Sequence, residues 1–308
     1  MFTSSAPPPG RSTGAALRVA AAHRLVYEQP SATAGDPRLG EFLTDMLSPY
    51  QVEFLPESLA AGIGQSYGEM GEPLIDALAS PERPIDLLVL AFAVHDLRPG
   101  QATAPYLSYR CPGSPMAFSV CDQGVAAGFT ALRLIQTYVR TGRFDRALLL
   151  VMEQTALHYQ PPRPAPVPDR IASAALLLER TGPAALAPVR QYPSVPPEQA
   201  GRRLAEQVAA LAADRSEVRL VVGAEYADDL LSDRRLADLV GQILIAPAGQ
   251  PATGAWWEFA GGLSEWTEQR SLVLVADYDR PLGYLSVCAA DFGQDVPAEP
   301  ELAASAAP

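Results

Sequence analysis

The 308-residue sequence contains no lysine, so all 23 of its cationic side chains are arginine. Without a side-chain amine there is neither a Schiff-base lysine nor a Walker-type phosphate lysine, which excludes pyridoxal and P-loop chemistry. Imidazole is nearly as scarce. His23, His95 and His158 are the whole supply, and none stands three to five residues from another His or from a Cys pair, so neither a metal site nor any other cofactor is expected. Three cysteines, Cys111, Cys121 and Cys288, are too few and too widely spaced for a disulfide framework or a zinc knuckle, in keeping with a reducing compartment. No apolar run reaches membrane-spanning length, and Pro and Gly interrupt the opening MFTSSAPPPGRSTG where a signal peptide needs an unbroken apolar stretch. A cytoplasmic protein without a membrane partner is expected.

What is present fits an ordinary folded enzyme-sized chain. With 48% apolar and 19% charged residues it can bury a large core. The net charge of -12 repels phosphate backbones, and no arginine stripe offsets it, so nucleic acid is not an expected partner.

Apolar strands alternate with amphipathic helices. The pattern predicts strands at 17–27, 85–92, 116–120, 147–152 and 171–178, with helices at 36–47, 68–79 and 124–141. After a Pro-rich stretch at 183–197 it restarts: helices at 198–213, 226–239 and around 256–266, and strands at 218–222, 241–246, 272–276 and 282–289. Continuous apolar strands separated by helix-length segments imply covered, mostly parallel sheets, and the restart implies a duplicated α/β plan. The expected organisation is a disordered N-terminus (1–14), a first half (15–182), a linker (183–197), a shortened second half (198–293) and a disordered tail (294–308).

Three stretches carry a family likeness. PIDLLVLAFAVHD from Pro84, MAFSVCDQGVAAGFTALRLIQTYVRTGRFDRALLLVMEQ from Met116 and RSLVLVADYDRPLGYLSVCAADF from Arg270 resemble the beta-ketoacyl-ACP synthase III proteins of the thiolase-like superfamily. The middle stretch matches the nucleophile strand, the helix after it and the strand that follows. The resemblance implies an α/β thiolase fold, a duplicated five-layer αβαβα architecture, across most of residues 15–290.

That family uses a cysteine at the start of the nucleophile helix, where aligned N–H groups lower its pKa, together with a His and an Asn from the second half. The resemblance puts Ala126, or Val125 in the alternative alignment, at the cysteine, Gly223 at the His and Thr253 near the Asn. None can do the family's chemistry. The implied role is a non-catalytic subunit that pairs with an active ketosynthase paralogue, or with itself, with acyl carrier protein or acyl-CoA as a further expected partner. Met116–Val120 would be the interface strand, and Gln101, Ala102, Thr103 and Ala104 the loop reaching a mate's pocket. The alternative is an acyltransferase or cyclase with other catalytic residues.

For that alternative the candidates are Cys121, Asp122 and His158. Cys121 lies four or five residues ahead of the family position and reads as a small core residue. Asp122, between a strand and a helix, reads first as an N-cap, and His158 as a surface-loop residue. His95-Asp96 reads as a loop start. GIGQSYG at 62–68 has the wrong spacing for a dinucleotide fingerprint and reads as a loop entering a helix. Of Trp256 and Trp257, one ring is expected in the core and the other in the inherited pocket.

Overall fold

The computed structural model describes residues 16–160, 167–212 and 215–294; the segment 1–14 and all but the first residue of the segment 294–308, both expected to be disordered, lie outside them. The first half contains β1 (Arg18–Val26), α1 (Pro37–Leu47), α2 (Pro56–Ala60), α3 (Tyr67–Leu78), β2 (Leu87–Ala91), α4 (Thr103–Arg110), β3 (Met116–Val120), α5 (Ala127–Arg140), β4 (Ala147–Glu153) and β5 (Ala172–Glu179). Then follow β6 (Ala184–Leu186), β7 (Arg190–Tyr192), α6 (Pro197–Ala212), β8 (Val218–Val222), α7 (Ala227–Leu230), α8 (Arg235–Leu239), β9 (Gln242–Ile245), α9 (Gly254–Gln269), β10 (Leu272–Asp279) and β11 (Tyr284–Asp291).

The strands run in the order β3-β2-β4-β5-β1-β6-β11-β10-β8-β9, with β7 paired to β11. With β7 left out of the count, in each half the third strand lies outermost, followed by the second, fourth, fifth and first. The repeat is therefore one of topology. β2, β3 and β4 are mutually parallel, as are β8, β9 and β10, while β5 and β11 run antiparallel to their neighbours. The halves meet where β1 pairs with β6.

Three apolar clusters build five layers. Tyr67, Met70 and Leu74 of α3 and Leu107 of α4 cover the outer face of the first sheet. Between the sheets lie α5 and α9. Phe129, Leu132, Ile135 and Val139 recur at helical spacing on α5 and bury against Val89 and Leu149 on one side, while Val273, Val275 and Cys288 belong to the same core on the other. Each such side chain contributes about 1.5–3 kcal/mol by leaving water. Leu204 and Val208 of α6, with Leu230 and Leu236, cover the outer face of the second sheet. This is the expected α/β five-layer plan.

Several boundaries differ from the sequence reading. The stretch 183–197, expected as a linker, holds β6 and β7, which are only three residues each and too short to show a period. The helix expected over 226–239 breaks into α7 and α8, because the Asp233 carboxylate accepts from the Arg235 backbone N–H at 2.9 Å and starts a new turn. Gln101 and Ala102 remain loop, but Thr103 and Ala104 are buried in the first turn of α4, where Pro105 is tolerated. The Thr103 hydroxyl donates to Asp96 at 2.5 Å. GIGQSYG does enter a helix: Ser66 caps α3 by accepting from the Gly68 N–H. Among the described residues no helix is long and apolar enough to cross a membrane.

Candidate functional site

Parallel strands deliver their carboxyl ends to one side of a sheet, and loops leaving them form a crevice. Here the ends of β2, β3, β4 and β10 open on a cavity of about 260 Å³. Ala93, Val94 and His95 follow β2; Asp122, Gly124 and Val125 follow β3; Glu153 ends β4; and Asp279, Pro281 and Leu282 close the wall from the second half with Pro251 and Ala252.

The turn after β3 is built around a carboxylate. Asp122 has φ 59°, Gly124 has φ 50°, and a 3-10 turn at Gly124–Ala126 leads into α5. Asp279 Oδ2 accepts from the Val125 N–H at 3.2 Å, and its Oδ1 from the Leu282 N–H at 2.9 Å. A side chain at position 124 would overlap that carboxylate, so glycine is required both for the left-handed backbone and for the close approach. Burial pushes the Asp279 carboxyl up, against the pull of its two N–H donors.

The other two positions assigned by resemblance have the same kind of neighbour. Thr253, fully buried ahead of α9, donates its hydroxyl to Glu153 Oε1, and the Ala252 N–H donates to Glu153 Oε2 at 2.9 Å. Burial raises the Glu153 carboxyl to about 7, the hydrogen bonds opposing it. Gly223, just beyond β8, packs its Cα against the Asp277 carboxylate, which leaves no room for a side chain. Asp277 is itself buried and pushed well above the ordinary carboxyl range, first by desolvation, then by repulsion from Asp279 and Glu153. Ala126 and Val125 are buried at the start of α5. Val125, Gly223 and Thr253 thus each abut a carboxyl group borne by another strand of the chain. The sequence also contains no asparagine at all.

The sequence reading missed Glu153, Asp277 and Asp279. Their signal was available: acids inside the apolar runs ALLLVME and LVLVADYD have to be buried with the strands that carry them.

The three candidates do not assemble into a catalytic unit. Cys121 is half-buried and donates its thiol to Asp122 at 3.3 Å, and burial with the adjacent carboxylate raises the thiol away from the reactive thiolate form. Asp122 faces the cavity but caps no helix, since neither the 3-10 turn nor α5 has a side-chain cap. His158, expected on a surface loop, is buried; its Nδ1 lies 3.0 Å from Ser58 Oγ and its Nε2 has no hydrogen-bond partner among the described residues. Desolvation lowers its pKa. The chain around it is held inward because the His158 carbonyl accepts from the Leu55 N–H at 2.8 Å. His95, read only as a loop start, is exposed and lines the cavity. Trp256 packs against Phe129 in the core with centroids 4.7 Å apart, whereas Trp257 lies outside the cavity, under the Arg24 guanidinium at 5.0 Å.

No protein-family model matches the sequence, and no curated protein matches it. Solved structures do match, along nearly their whole length. The tetronic acid condensing enzyme AbyA1 superposes with TM-score 0.57 at 15% identity over 89% of this chain and 99% of its own. The 3-oxoacyl-(acyl carrier protein) synthase III of Pseudomonas aeruginosa PAO1 gives 0.56 at 15% identity over 90% and 98%. ChlB3, described as an acyltransferase, gives 0.54 at 14% identity over 90% and 97%. With the repeated strand order and the five layers, these likenesses give the chain the thiolase-like fold of the beta-ketoacyl-ACP synthase III proteins.

Proposed function

We propose that this chain is a non-catalytic ketosynthase III-like subunit that pairs with an active synthase and helps shape its acyl pocket in fatty acid, polyketide or related biosynthesis. The observation that supports the reading is that positions the resemblance assigns to the family's triad, Ala126 or Val125, Gly223 and Thr253, supply neither thiol, imidazole nor amide, and that Asp279, Asp277 and Glu153 lie against Val125, Gly223 and Thr253. A thioester carbonyl brought to the helix start would find the Val125 N–H already bonded to an anion. The names of the structural neighbours, a condensing enzyme, a synthase and an acyltransferase, support acyl chemistry as the setting.

The edge of the first sheet supports pairing. β3 is the outermost strand, with Met116 40% exposed, and Phe118, Tyr138 and Phe144 form a run of rings behind it at 5.7 and 5.5 Å. Unpaired strand hydrogen bonds beside apolar side chains are what an edge-to-edge partner covers. Co-expression with an active synthase is expected to give a stable complex burying at least about 2,000 Å². Incubation of the chain with acyl-CoA is expected to give no covalent adduct by intact mass. A chain that stays monomeric beside every synthase offered, or an acyl adduct on Cys121, would overturn this reading.

A second reading has one observation in its favour. Glu153, raised to about 7, shares the cavity with His95 and Asp122, which suits a proton-transferring acyltransferase or cyclase. It requires His95→Ala or Glu153→Gln to abolish turnover with folding and pairing intact.

A further inference from the structure

Carboxylates of this chain hold the hydrogen-bond donors at the strand ends of the cavity. The Val125, Leu282 and Ala252 N–H groups and the Thr253 hydroxyl are each bonded to a carboxylate of this chain, Asp279 or Glu153. The acceptors are not exhausted. A carboxylate oxygen has two lone-pair sites; Asp279 accepts one hydrogen bond per oxygen, and Glu153 accepts from the Thr253 hydroxyl and the Ala252 and Thr253 N–H groups, three donors for its four sites. Asp122 adds a third carboxylate to the lining, and among the described residues no arginine joins it. The remaining walls are mainly apolar, Val94, Val125, Leu157 and Leu282 among them, with the His95 ring and Tyr159 as their polar side chains.

A carboxylate entering this space meets charge of its own sign, and a thioester oxygen finds those four donors taken, with only the His95 ring and the Tyr159 hydroxyl left on the walls. An ammonium group meets free lone pairs in a partly desolvated setting, where charge-assisted hydrogen bonds are strong. We propose that the cavity binds a small apolar ligand carrying a primary amine, of the aminoacyl or alkylamine type, and rejects anionic acyl groups. This goes beyond a pairing role and stands or falls separately from it, because every group involved belongs to this one chain.

The test is calorimetric titration of the full chain at about pH 8, where a carboxyl raised to about 7 is mostly ionised, with hexylamine, hexanol and hexanoate as matched probes. Hexylamine is expected to bind saturably at one site, hexanol at least about tenfold more weakly, and hexanoate not at all. Glu153→Gln and Asp279→Asn preserve side-chain size; each is expected to weaken hexylamine about tenfold, with a thermal melt verifying that the variant is folded. The probe ranking on the unaltered chain needs no variant. Hexanoate binding as tightly as hexylamine, no saturable binding by any probe, or unchanged hexylamine affinity in both folded variants would overturn the proposal.

Discussion

Burying a carboxyl group between hydrogen-bond donors sets two effects against each other, and at Glu153 burial wins. Its pKa of about 7 lies above the ordinary 4.5, so the folded chain holds that proton more tightly than the unfolded chain. The resulting stabilisation is complete below about pH 4.5 and disappears as pH rises through about 7. Unfolding free energy is therefore expected to fall between about pH 5 and 8, with a Glu153 share on the order of 3 kcal/mol. Asp277 and Asp279 shift in the same direction, so Glu153→Gln should remove part of the slope. Urea titrations across that range check it, and an unchanged slope would contradict the assignment. His158 makes a different prediction: its buried ring and Ser58 depend on each other, so His158→Ala should cost about 1–3 kcal/mol of stability while leaving a partner's turnover unchanged. Activity lost at unchanged stability would restore His158 as a base.

At the scale of elements, β3 is the strand whose surroundings are incomplete. Its inner neighbour β2 is hydrogen-bonded on both sides and wholly buried, whereas β3 is bonded on one side only among the described residues. Ser119 is exposed on it, opposite Leu90. Ser119→Arg should therefore be tolerated by the isolated chain, within about 0.5 kcal/mol, yet abolish a complex formed through this edge. Size-exclusion chromatography with light scattering distinguishes the outcomes; a complex that survives means pairing by another surface. Elements also mark where the sequence was hard to read. α5 was legible from its periodic apolar face and β2 and β4 from unbroken apolar runs, whereas α4 carries a proline and β6 and β7 offer three residues each.

Across the whole molecule the central layer joins the halves. Val89, Leu149 and Leu176 of the first sheet share one core with Val273, Val275 and Cys288 of the second through α5 and α9, and β1–β6 pairing makes the strands continuous. Separating the halves would expose the faces of both helices. Calorimetric unfolding is accordingly expected as one cooperative transition, with calorimetric and van't Hoff enthalpies in agreement. Two resolved transitions would mean that the shared core is weaker than its burial implies.

Local chemistry by itself determined a good deal of this protein. The absence of lysine removed whole reaction classes and strand and helix periods placed most of the core, while Ala126, Gly223 and Thr253 were singled out only by the resemblance. The tertiary structure alone decided what packs around this part of the chain. Asp279 reaches Val125 across 154 positions of sequence and Glu153 reaches Thr253 across 100; such pairings leave no periodic trace, because they depend on how two sheets stack and not on what precedes or follows each residue. The inward turn of His158 has the same origin: a loop sequence does not say which surface it will be folded against, and here Ser58 and Leu55 lie on that surface.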